Sequence, residues 1–60
     1  MTRYKAQEFA IDYMSVAAYP LNDEILLRVI DALQVFREST LEAMTTDEFL
    51  MVCDMAAQEI

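Results

Sequence analysis

Residues 39–53 read STLEAMTTDEFLMVC, and where the helix breaks inside this stretch decides which side chains face a core. The stretch holds no glycine or proline, and Pro20 is the single proline of a chain without glycine. If a helix begun at Asn22 ran on unbroken, Thr40, Ala43 and Met44 would project on the same side as Val29 and Phe36. The next apolar set, Phe49, Cys53, Ala56 and Ile60, would project nearly opposite. One straight helix cannot serve a single core with both sets, so a break is expected between Met44 and Phe49. Thr45 as N-cap and Glu48 three residues on have capping-box spacing, with Met44 and Phe49 placed as a hydrophobic staple. Ser39 and Glu42 share that spacing. A break at Ser39, leaving 40–44 as a short turn of helix, is the alternative to the preferred later one.

Upstream, Arg3 to Ala18 has a helical face, with Phe9, Tyr13 and Val16 on one side and Ala6, Ala10, Met14 and Ala17 beside them. Ala6, Ala10 and Ala17 form a small-residue strip against which another helix can come close. Pro20 disfavours α geometry at Tyr19 and so ends this helix. Asn22 is a good N-cap for the next, and Asp23 and Glu24 suit the positive end of the helix dipole in its first turn. Leu21 and Leu26 are placed as a staple across that cap. Ile25, Val29, Ala32, Leu33 and Phe36, flanked by Leu26 and Ile30, make its apolar face. The expected fold is all-α: one small domain over residues 1–60, with three helices at about 3–18, 22–43 and 46–60.

A chain of 60 residues buries only roughly 60% of its unfolded surface, so its lone core is marginal. The single cysteine, Cys53, forms no intrachain disulfide, and with no histidine a zinc site is close to excluded. Support from oligomerisation, a dimer above all, or from a partner is therefore expected. The alanine strip or the apolar face of the second helix would make the dimer contact. The apolar fraction of 57% points the same way.

Eleven acids against four bases leave a net charge of −7. Only Arg37 offsets Asp31, Glu38, Glu42, Asp47, Glu48, Asp54 and Glu59, so most of the negative charge lies in the second half. Direct contact with nucleic acid or an anionic membrane is disfavoured, whereas a basic partner protein is compatible. No apolar run nears the roughly 20 residues of a membrane span. The opening MTRYKAQEFAID has no apolar signal core after its bases. One free cysteine suits a reducing cytoplasm.

Catalysis finds little to work with. There is no histidine to act as base, no glycine-rich phosphate loop, and the only lysine is Lys5. Cys53 lies on an apolar helix face among acids, which blunts a thiol. Asp23/Glu24 and Asp47/Glu48 are explained by helix capping. No catalytic, cofactor or metal site is expected, and the chain reads as a non-enzyme.

Two surfaces are candidate partner contacts. Glu24, Asp31 and Glu38 recur every seven residues, about 10 Å along a helix, and with Glu42 draw an acidic line. Such a line suits a basic groove on a nucleic-acid-binding protein, although a charge run of this kind usually only solvates a face. The second surface consists of apolar residues on polar faces: Leu27 and Val35 on the second helix, Met51 and Met55 on the third. Tyr4 and Ile11 likewise lie off the main face of the first helix. Two fragments, LLRVID (26–31) and TDEFLMVCDMAA (46–57), resemble parts of the Hha-like nucleoid modulators, small helical proteins that bind a DNA-coating partner. Their relative spacing here differs, and no role is carried over from them.

The expected role is a small acidic regulatory or inhibitory protein acting through protein–protein interaction. The alternative is a self-associating helical bundle, or a small helical chaperone that covers an apolar client segment.

Overall fold

Thr2 opens the first helix. Its hydroxyl accepts the Lys5 N–H at 3.2 Å and so caps α1, Arg3–Val16. The computed structural model describes residues 1–20 and 22–58, and three further helices follow: α2, Asp23–Leu33; α3, Glu38–Ala43; and α4, Thr46–Gln58. All the regular structure of these residues is helical. The all-α expectation holds, with four helices in place of three.

The chain turns out of α1 without a glycine. Ala18 takes a left-handed conformation (φ 57°), while the Tyr19 N–H reaches the Met14 carbonyl at 3.0 Å and the Ala18 N–H the Ser15 carbonyl at 3.3 Å. These are the paired bonds of a Schellman ending. Holding alanine there costs about 1–2 kcal/mol, offset by the satisfied carbonyls and by Tyr19, whose ring packs 5.7 Å from that of Tyr13.

Ala6 and Ala10 are fully buried within the single chain, where α1 lies against α2. This corrects the expectation that the alanine strip is open to a second copy, because close packing of α2 already consumes it. Val16, expected on the core side, is exposed. The buried stripe runs Ala6–Ala10–Tyr13–Met14 and leaves Phe9 and Val16 along its edge. Phe9 is covered by Phe49, ring to ring at 6.0 Å.

In α2, the Asn22 side chain accepts the Glu24 and Ile25 N–H groups at 2.9 and 3.3 Å, as its N-cap role requires. Leu21, the expected staple partner of Leu26, lies outside the described residues, as do Glu59 and Ile60. Val29, Ile30 and Leu33 are buried.

The expected continuous helix over 22–43 is corrected, for α2 ends at Leu33. A helix of that length would be about 33 Å long, longer than the 27 Å principal extent of the molecule. Its phase would also bury the wrong side chain. Thr40 would align with Leu33 and Leu41 would point about 80° aside. With the break, Leu41 enters the core at 3% exposure and Thr40 stays outside. Burying a leucine is worth about 1.5–3 kcal/mol, which outweighs the few helical hydrogen bonds interrupted. The freed Gln34 and Phe36 carbonyls accept from the Met1 nitrogen at 3.0 and 2.7 Å. Arg37 takes the extended cap position of α3 and makes no side-chain cap bond, so the Ser39 box is not used.

The break at Thr45 falls where the capping pattern places it. Its backbone N–H donates to Glu48 Oε1 at 3.1 Å, and its hydroxyl accepts the Glu48 N–H at 3.2 Å. Met44 and Phe49 are both half-buried and line one recess, as a staple should. Thr45→Ala is therefore expected to cost about 1 kcal/mol in denaturant titration, and Thr40→Ala, exposed in α3, only a few tenths. Equal losses would mean that this reciprocal cap contributes nothing particular.

α2 packs on both α1 and α4. Around it Tyr13, Leu33, Val29 and Cys53 are the largest fully buried side chains. The Tyr13 hydroxyl donates to the Asp54 carboxylate and joins α1 to α4.

Candidate partner-binding surface

The acidic line is taken apart by the bend between α2 and α3. Glu24 and Asp31 stay on α2, whereas Glu38 and Glu42 belong to α3. Three of the four are neutralised within the chain: Glu24 by Arg28 at 2.7 Å, Asp31 by Arg3 at 2.9 Å, and Glu38 by Lys5 at 3.2 Å. Lys5 also pairs with Glu8, and its pKa is raised by the hydrogen bonds to Glu38 and Glu8. Glu42 is exposed, with no ion pair among the described residues. Exposed pairs of this kind contribute little stability each. Their consequence here is electrostatic, since a cation already sits beside most of the line.

The apolar candidates are placed differently. Val35 is 82% exposed, Met55 69%, Met51 62% and Leu27 49%. Val35, in the turn after α2, and Met55, on α4, line one open groove of about 720 Å³ together with Ala32, Phe36, Val52 and Ala56. Met51 stands one turn before Met55 on α4, while Leu27 is not part of the groove lining. Tyr4 and Ile11 are exposed on α1. The groove's other walls were not recognisable beforehand. Phe36 reads as core on a continuous helix; here it is half-buried, packs against the core and lines the groove as well. Ala32 and Ala56 line it from α2 and α4, a pairing that becomes visible only once the two helices are known to be neighbours.

Buried chemistry is sparse. Cys53 is fully buried, and its thiol is pushed up to about 12 by desolvation and then by the adjacent Asp54 charge. Tyr13 is raised well above the ordinary phenol, first by burial and then by its bonds to Asp54 and Tyr19. Both groups are neutral in the fold and lose their protons more readily when unfolded. The stability they contribute is whole below about pH 9, the ordinary thiol value, and falls as the pH climbs toward 12. Thermal melts at about pH 8 and about pH 11 should therefore show a lower Tm at the higher pH, with a smaller drop for Cys53→Ala. An identical drop for that variant would show that the thiol is not masked by the fold. Among the described residues, no three of the Cys, Asp and Glu side chains converge as a metal site would require. None of the described helices is long and apolar enough to cross a membrane.

Set against known protein families, curated proteins and solved structures, the chain matches none of them.

Proposed function

We propose that this chain is a non-enzymatic regulatory or inhibitory protein of a reducing, cytoplasmic setting that acts by binding another protein. The observation that carries this reading is the exposed apolar surface of α4 and the α2 end, where Val35 and Met55 share a groove and Met51 is exposed one turn before Met55. Ten apolar side chains form a buried cluster, and Phe36 and Val52 of the groove pack against it, whereas Val35, Met51 and Met55 stay exposed beyond that core. Contiguous exposed apolar patches on small proteins mark contact sites more often than scattered single residues do. Unbranched methionines adapt to an irregular partner.

The acidic excess favours a basic partner, a nucleic-acid-binding protein among them. Because the chain's own bases occupy Glu24, Asp31 and Glu38, apolar contact should supply more of the affinity than the acidic line. The second reading, a self-associating bundle or a chaperone for an apolar segment, draws on the same exposed side chains.

Capture from lysate at low and high salt, with recovered proteins identified, tests the proposal. A basic protein retained at low salt and weakened at high salt supports it. Recovery of nothing at either salt, together with concentration-dependent dimerisation in sedimentation, would favour the structural alternative.

A further inference from the structure

We infer that the groove between the end of α2 and α4 seats an amphipathic helix of a basic partner, whose apolar side chains enter between Val35, Phe36, Val52 and Met55. This inference rests on the binding role proposed above and names its site and the chemistry of its occupant. Along α4 the groove runs from Val52 to Gln58, about 9 Å, which accommodates two anchors spaced i, i+3 or i, i+4 on a partner helix. An extended segment gains most from pairing with a free strand edge, and the described residues contain no strand. Two helical walls instead present ridges between which a third helix packs.

Charge selects the partner's sign. α4 carries no base; Asp47 and Glu48 are exposed in its first turn, about one turn before Val52, while Asp54 turns to Tyr13 of α1. Three of the chain's four bases are already held in ion pairs, and Arg28, the one that reaches the end of α4, spends its guanidinium on Glu24 and the Ala57 carbonyl. Arg37, which follows Phe36, is a single opposing charge. A second copy would bring −7 against −7, a repulsion that lysines or arginines beside the apolar anchors would turn into attraction.

The test uses the full chain and two synthetic amphipathic helices, one of leucine and lysine and the other of leucine and glutamate. Titration should show saturable binding of the lysine peptide alone, weakening as salt rises. The Val35→Gln/Met55→Gln protein should bind it at least about tenfold more weakly. The Ile11→Gln/Val16→Gln protein, altered at exposed apolar residues of α1, should bind like the wild type. Equal loss in both variants, or equal binding of both peptides, overturns the site. So does a wild-type dimer in sedimentation that the Val35/Met55 variant abolishes, since the occupant is then a second copy. If lysate capture persists undiminished with the Val35/Met55 variant, the groove assignment fails while the binding role stands. If the peptide results hold and no protein is captured, the role fails while the seat stands.

Discussion

Tyr13→Ala should leave the chain without a cooperative thermal transition. The ring is fully buried, packs against Tyr19, and ties α1 to α4 through its hydroxyl on Asp54. Truncating a buried aromatic costs about 3–5 kcal/mol, against a total stability of about 3–9 kcal/mol for a domain of this size. Tyr13→Phe isolates the hydroxyl. Loss of a hydrogen bond to a charged carboxylate costs about 1–3 kcal/mol, and half-exposed Asp54 can turn to water, so the lower end is expected. Circular dichroism melts decide the matter. If Tyr13→Ala melts within a few degrees of the wild type, the assigned core is wrong.

The second large effect separates folding from binding on one helix. Phe49 is half-buried against Phe9, so Phe49→Ala should cost about 2–3 kcal/mol, less than a fully enclosed ring would. Met51 and Met55 lie on the outer side of the same helix. Replacing both by glutamine should change stability by no more than about 0.5 kcal/mol. The same double change should remove most partner binding, because it places two amides where apolar side chains would otherwise be desolvated. If this variant unfolds instead, the methionines belong to a core or dimer seam.

Capping chemistry is local, and it was legible. Asn22 and Thr45 make the bonds their spacing implies, because an N-cap needs only its own next three residues. The exposure of Leu27, Met51 and Met55 also follows from helical phase alone, whereas Val35 lies in the turn past the end of α2. The alternative break at Ser39 anticipated a short helix like α3, Glu38–Ala43, but the place of the break, after Leu33, was not legible. Nothing in QVFRES stops a helix, and the interruption arises from the size of the molecule and from Leu41 competing with Thr40 for the core. The groove was hidden for a tertiary reason as well, since its two walls are distant in the chain and meet only when α2 packs on α4. Likewise, the spacing of Glu24, Asp31 and Glu38 suggested a line of free charge. Arg3 and Lys5, some thirty residues away, neutralise two of its members only after α1 packs on α2.

Side-by-side capture from lysate with the wild type and with the Met51→Gln/Met55→Gln protein, at equal folded concentration, tests the binding role most directly. The account predicts a basic protein recovered by the wild type and lost, or reduced by about tenfold or more, with the variant. Recovery of the same protein in the same amount by both would contradict it.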